Sequence, residues 1–482
     1  MTVSSVGTDI LVSLLLFPAC YWAFQFYRKG NTCLALVCIL AIGAIIRIYT
    51  GMDGYLHVWD ERYHALVARN MMSHPLKPTL YDNPLLPYDF RAWCCNHIWL
   101  NKPPLPFWLM SGSMSLFDTH LWALRLPSFL LSLGGVYLTF RLGALLFSEK
   151  TGLIAAFLYA VNGKLIELAA GCDSSDHIET CHVVLFEAAV YCVVRYWEKQ
   201  TTWRAVLIGL CTGLTFLSKW TPAVFIPAIW FIGSVWQKNA LKRLVADGLV
   251  VAAVSVAVSA PWVWHIFQAF PEESREIFVI MSTANSRVIE GHTGAWYFYL
   301  DRARMLFGEI VYLPMMAGMW RVFRKKRFTG LHLVGVWIAL PVLLFSMAAT
   351  KRDTYLMIVA PAFFLLIAFW VRVLWMRFRS PWGFVLAALL FLLPLRYGVE
   401  RSKMFTSRLR APEWMADIQK IRRELPGYPE KSVVFGFDHH LELMFHTGVT
   451  AYPLQPDEAT VQKLKKERYT VLLFSDGKLH EY

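Results

Sequence analysis

The sequence predicts an all-α polytopic membrane protein of about twelve spanning helices, followed by a small α/β domain. Three observations carry this. Of 482 residues, 56% are hydrophobic and only 17% charged, against about 25% charged in an ordinary soluble domain. The apolar residues gather in blocks long enough to cross a hydrocarbon layer of about 30 Å, which takes roughly 20 helical residues. The basic residues cluster between these blocks: Arg28-Lys29, Arg141 to Lys150, Arg195 to Arg204, Lys238 to Arg243, Arg321 to Arg327, and Arg372 to Arg379.

The expected spans are 9–27, 32–50, 122–147, 152–170, 178–196, 203–218, 221–236, 244–266, 303–320, 329–349, 354–374 and 382–396. The first block reads as a retained span, because no basic segment precedes it and Arg28-Lys29 follows it. By the positive-inside rule the basic connections face the cytoplasm, which puts the alternate connections and both termini outside. The net charge of +13 thus belongs to membrane lipid contacts and not to nucleic acid.

Three units follow: an extra N-terminal segment, 1–31; a transmembrane domain, 32–396, with a large external loop over 51–121; and an external domain, 397–482. In the loop, the apolar run after Lys102-Pro103-Pro104 is too short to span and reads as an interfacial helix, with Trp99 and Trp108 at headgroup level. In the tail, Ser432 to Phe437 and Thr470 to Phe474 read as strands, and Pro456 to Arg468 as a helix.

An acid close to the bilayer face is costly unless hydrated, paired or functional. Asp60 and Glu61 stand just past the second span, and Asp173 and Asp176 just past the fourth. Lys102, Lys219 and the pair Lys351-Arg352, with Tyr355 behind it, stand at outer span ends against the inside bias. A phosphate at the interface needs such groups, Lys as a point charge and Arg as a fork. Arg287 and His292 lie in a further external loop beside Trp296 to Tyr299, and His97 lies in the first. Cys94, Cys95, Cys172 and Cys181 fall near the outer face, where pairing is open. Cys94, Cys95 and His97 lack the repeated paired spacing of a zinc site, so a divalent metal is possible there but not implied.

Three segments taken together resemble the membrane glycosyltransferases of the C-type fold, in particular the branch of protein O-mannosyltransferases and aminoarabinose (lipid A) transferases. They are Trp59-Asp60-Glu61-Arg62-Tyr63-His64-Ala65, Trp99-Leu100-Asn101-Lys102-Pro103-Pro104-Leu105 and Trp122-Ala123-Leu124-Arg125-Leu126-Pro127-Ser128. The resemblance covers most of 32–396. It implies Asp60 as principal catalytic carboxylate with Glu61 beside it, and Asp176, preferred over Asp173, as a second acid near the acceptor. It also implies Lys102, Lys219, Lys351, Arg352 and Tyr355 around a carrier phosphate, with the loop bearing Arg287 and His292 as a looser match; His97 and Asp173 are further candidate contacts.

The implied reaction transfers a sugar from a polyprenyl-phosphate donor to a lipid, glycan or protein acceptor at the external face, with inversion. The implied location is a bacterial inner membrane with the site on the periplasmic side. Cations that neutralise the leaving phosphate make a metal cofactor unnecessary. A polytopic transporter or flippase is the alternative; its site belongs near the midplane between repeated halves.

Overall fold

The computed structural model describes residues 5–91, 97–325, 327–377, 381–401 and 411–482. Among these, eight helices are long and apolar enough to cross a membrane: Gly7–Lys29, Thr32–Thr50, Leu121–Leu146, His177–Glu198, Leu241–Ala269, Gly330–Met347, Asp353–Arg377 and Pro381–Arg401. A further apolar pair, Glu149–Val161 and Gly163–Ala170, is bent by 53° and brings the candidates to nine when counted as one span. The turn sits at Asn162, whose side chain caps the second half by accepting from the Leu165 N–H. The expected spans 203–218 and 221–236 are the shorter apolar helices Thr202–Ser218 and Thr221–Trp236.

The expected span 303–320 is not one helix. It separates into Phe298–Phe307 and Tyr312–Arg324. Gly308 causes the break: its φ of 104° and ψ of 146° belong to a region open essentially to glycine alone. A Cβ there would also meet the Pro394 ring at 3.1 Å. Gly308→Ala is therefore expected to lower stability by about 1–3 kcal/mol, measurable as a fall in Tm of the detergent-purified protein; an unchanged Tm would show that the break tolerates a side chain.

The second span carries a charge that the apolar pattern hides. Arg47 is fully buried and donates to Ser132 Oγ and the carbonyls of Gly43 and Ala160. A buried cation is stable in such a place only when it is hydrogen-bonded. Here it ties its helix to two neighbours.

One face of the bundle carries the first loop, the tail and the 171–176 and 348–352 connections. The first loop contains two helices, Asp60–Asn70 and Leu105–Phe117, the second being the expected interfacial run. Trp99 differs from expectation: only 2% exposed, it stacks on Tyr63 and meets His64 and Phe107 edge-on. Packing against the loop's own core buries it. Trp108 is half-buried and donates to the Pro75 carbonyl.

The tail forms a four-stranded sheet, with β1 at Ser432–Phe435, β2 at Thr450–Tyr452, β3 at Thr470–Ser475 and β4 at Lys478–Glu481. Their order is β2-β1-β3-β4. β1 pairs in parallel with β2 and β3, and β4 closes an antiparallel edge on β3. Helices Glu413–Glu424, His440–Thr447 and Glu458–Lys466 flank it.

Loop and tail share one hydrophobic core, in which Leu66, Leu80, Tyr81 and Trp99 join Phe435, Phe445 and Tyr452. Polar ties reinforce it. Arg69 donates to the Met444 carbonyl, the Leu85 and Leu86 N–H groups donate to Tyr452 Oη, and Arg62 pairs with Glu442 at 3.5 Å.

Candidate active site

The first loop's catalytic candidates occupy a short helix. Two acids in its first turn, Asp60 and Glu61, complement the positive helix N-terminus. Successive helical residues point about 100° apart, so the two acids face different surroundings. Asp60 is half-buried and borders the open side, whereas Glu61 is completely buried. Trp59, immediately before them, holds φ 73° and ψ −128°, a backbone state that costs a bulky residue about 1–3 kcal/mol. The strain sits where the chain turns to present Asp60.

Glu61 is the centre of an ionic network. Arg125 Nε and Nη2 donate to it at 2.8 and 3.1 Å, the His57 N–H and ring Nδ1 approach at 2.6 Å, and His177 Nε2 lies at 3.2 Å. Arg125 also donates to the carbonyls of Gly51, Asp53 and Tyr55. Burial alone would push the Glu61 carboxyl up. Arg125 and His57 more than reverse this and hold it well below the ordinary value. Gly171 makes room for the network, since a Cβ there would lie 2.6 Å from Glu61 Oε1. Glu61 is therefore fully enclosed and paired within the protein, whereas the expectation set it beside Asp60 as a catalytic acid.

The 171–176 connection also departs from expectation. Asp176 is 1% exposed, accepts from the Ile178 N–H as a helix cap, and pairs with His64 at 2.8 Å. Burial raises its carboxyl and His64 brings it down, to a net value below the ordinary one. Both oxygens are thus engaged inside the protein. Asp173 is the more accessible acid, with its side chain 18% exposed and 2.6 Å from Lys164 Nζ. Lys164 also reaches Asp353 at 3.0 Å. This lysine was missed by the sequence reading, although a lone Lys inside an apolar block is itself a signal.

The cations gather on the same face. Lys219 pairs with Glu179, and its ammonium stands 4.7 Å over the Tyr355 ring. Lys102 lies within electrostatic reach of both Glu179 and Tyr355, and Arg352 within reach of Tyr355 and His292. His292 also senses Asp353 and Asp60, which links the carboxylate side of the site to the cationic side. Burial and Arg352 lower the pKa of His292, favouring the neutral ring.

Lys351 is turned inward, 7% exposed with Nζ donating to the Ala348 carbonyl. Arg352 is therefore the member of that pair that looks toward the others. The loop bearing Arg287 and His292 is pinned to this connection: the N–H groups of Ala349, Thr350 and Lys351 donate to the carbonyls of Asn285, Ala284 and His292. The Arg287 side chain is exposed. His97 packs between Tyr81 and Tyr88, and burial together with Lys77 lowers it to about 4, so it is a neutral ring of the loop core.

Cys172 and Cys181 are free thiols; Cys94 and Cys95 lie outside the described residues.

A cavity of about 320 Å³ opens beside the cations, lined by Thr221, Pro222, Phe225, Asn285, Leu344, Phe345, Met347 and Ala348. Phe345 touches Tyr355, with ring centroids 5.4 Å apart. The apolar groove and the cation group are therefore adjacent, an arrangement that can take an apolar chain with an anionic head. A larger cavity, about 820 Å³, is lined by Ile48, Asp53, Trp122, Phe129, Arg69 and His446 among others.

The family model for dolichyl-phosphate-mannose-protein mannosyltransferase matches residues 101–265. Among curated relatives, the undecaprenyl phosphate-alpha-4-amino-4-deoxy-L-arabinose arabinosyl transferase 2 of Pseudomonas fluorescens (strain Pf0-1) is 25% identical over 333 residues, 66% of this chain and 56% of that protein. The corresponding transferase of Pectobacterium carotovorum is 23% identical over 371 residues, 71% of this chain and 60% of the relative. The chain thus spans less than two thirds of the length of these relatives.

Among solved structures, ArnT from Cupriavidus metallidurans bound to undecaprenyl phosphate superposes with a TM-score of 0.64 at 14% identity, covering 91% of this chain and 93% of that one. The archaeal oligosaccharyltransferase AglB from Archaeoglobus fulgidus, in complex with an inhibitory peptide and a dolichol-phosphate, gives 0.60 at 13% identity, covering 91% and 69%. These likenesses establish the fold.

Proposed function

We propose that the chain is a membrane glycosyltransferase of the C-type fold, like the family and relatives it resembles, and that it transfers a sugar from a polyprenyl-phosphate donor to a lipid, glycan or protein acceptor. The observation that carries the reading is the grouping of Lys102, Lys219, Arg352 and Tyr355 beside an apolar groove, with His292 in reach of both Arg352 and Asp60. The groove accommodates the prenyl chain, and the cations hold the phosphate at the bilayer surface.

Departure of the carrier phosphate leaves negative charge on its oxygen and positive character on the sugar, as in an oxocarbenium-like transition state. Fixed cations at the leaving oxygen stabilise that state more than the ground state. Asp60 takes the proton from a hydroxyl acceptor; where the acceptor is already an ionised phosphate, Asp60 orients it. A single displacement inverts the anomeric centre. Asp173, held by Lys164, replaces Asp176 as the second acid toward the acceptor. The cations supply the charge stabilisation, and no metal enters these steps.

The basic connections at the opposite face support placing the site on the periplasmic side of a bacterial inner membrane. The matched family and relatives are transferases, so the transporter alternative gains no support.

The decisive experiment compares envelope lipids and glycans by mass spectrometry in cells with and without the protein, followed by transfer with purified enzyme and an undecaprenyl-phosphate sugar. A modification lost on deletion is expected, and an unchanged profile with no transfer in vitro would defeat the proposal. A narrower expectation concerns Lys219→Ala, which removes a charge-assisted contact worth about 1.5–3 kcal/mol and so raises the donor KM roughly 10- to 100-fold. Steady-state kinetics would check this, and an unaltered KM would take Lys219 out of the phosphate site.

A further inference from the structure

Where the first loop leaves the second span, three side chains of different chemistry converge. His57 Nε2 lies 3.0 Å from Asp53 Oδ2 and 3.5 Å from Cys172 Sγ, and the three donor atoms lie within 4.8 Å of one another. Asp53 and His57 come from the first loop, and Cys172 from the 171–176 connection. We propose that Asp53, His57 and Cys172 form a binding site for one zinc-class divalent ion that fastens these two loops together beneath Asp60.

The donor set suits such an ion. Imidazole, thiolate and carboxylate are the three zinc ligand types. A tetrahedral centre with bonds of about 2.0–2.3 Å sets neighbouring donors roughly 3.4–3.6 Å apart. The His57 to Cys172 distance matches this, and the His57 to Asp53 distance needs only a small opening. Glu61 sits 2.6 Å from the other ring nitrogen of His57, the carboxylate–histidine arrangement that aims the free nitrogen of a metal-binding imidazole.

An independent observation points into the site. Asp53 is 3% exposed, yet its second oxygen, Oδ1, is buried without a hydrogen-bond partner among the described residues. A buried carboxylate oxygen left so is expensive, and a metal ion satisfies it directly or through a bound water. Thiolate and neutral imidazole are the forms that bind a metal, so affinity falls as pH falls.

The rival is a metal-free cluster in which a proton on His57 bridges Asp53 and Glu61. The two separate cleanly with full-length protein purified in detergent through a histidine-free tag, stripped with EDTA and titrated with Co²⁺. One ion per chain is expected by elemental analysis, with a thiolate-to-cobalt charge-transfer band that Zn²⁺ displaces. Cys172→Ser should lose the band, and Asp53→Asn should weaken binding by about 10-fold or more. Circular dichroism confirms that each variant keeps its helices; should Cys172→Ser misfold, protection of Cys172 in the unaltered protein from maleimide by Zn²⁺ serves instead. No stoichiometric cobalt, a band that survives Cys172→Ser, or maleimide labelling indifferent to Zn²⁺ would each overturn the site. None of these readouts depends on sugar transfer.

Discussion

Asp60→Asn is expected to reduce sugar transfer by about 10²- to 10⁴-fold, the usual contribution of a positioned proton acceptor, with little change in folding. The amide keeps the size and the helix-start geometry of the carboxylate. What it loses for stability is a favourable charge at a helix N-terminus, worth about 0.3–1 kcal/mol. What it loses for chemistry is the ability to accept a proton or carry charge in the proposed site. Transfer by purified enzyme, with donor binding measured separately, discriminates the two. Near-native transfer by a well-folded Asp60→Asn protein would remove Asp60 from the catalytic role.

The second large effect falls on stability. Arg125→Ala should destabilise the chain by about 3–5 kcal/mol, as when one member of a buried ion pair is removed. Glu61 would remain buried with less compensation, and the carbonyls of Gly51, Asp53 and Tyr55 would lose their donor. The start of the first loop would then be unsupported, and transfer would fall with it. A Tm close to that of the unaltered protein would contradict this account.

The same network sets a pH dependence. The Glu61 carboxyl is held below its ordinary value of 4.5, so its contribution is complete above that pH and is lost as pH falls through the lower folded value. The Tm difference between the unaltered protein and Glu61→Gln should therefore narrow in acid below about 4.5. A difference constant across that range would show that Glu61 is not ionised in the folded protein.

Much of this was legible in the sequence because the informative segments pack together. Trp99 covers Tyr63 and His64, and Arg125 reaches Glu61, so the three motifs that carry the resemblance are parts of one structure. The outer-face cations stood out because they broke a charge rule. Other features were hidden for physical reasons. Adjacent acids read alike in sequence, and only the helix turn buries Glu61 while leaving Asp60 at the open side. Asp176 was preferred as a substrate acid although Glu179 follows three residues later, the spacing of a helix-capping pair, which was the available sign that it caps a helix. Gly308 within an apolar block gave no hint of its backbone state until its neighbours were known. In the tail, the three-residue strand β2 and the largely exposed edge strand β4 carry too little alternation to be read.

The shared interior of first loop and tail has a consequence for how the molecule can be divided. A chain ended near residue 401 would strip the cover from Leu80 and Tyr81 and take away the hydroxyl that holds the Leu85 and Leu86 backbone. The tail is thus no detachable cartridge. A change in its sheet is carried through the shared core into the helix that bears Asp60.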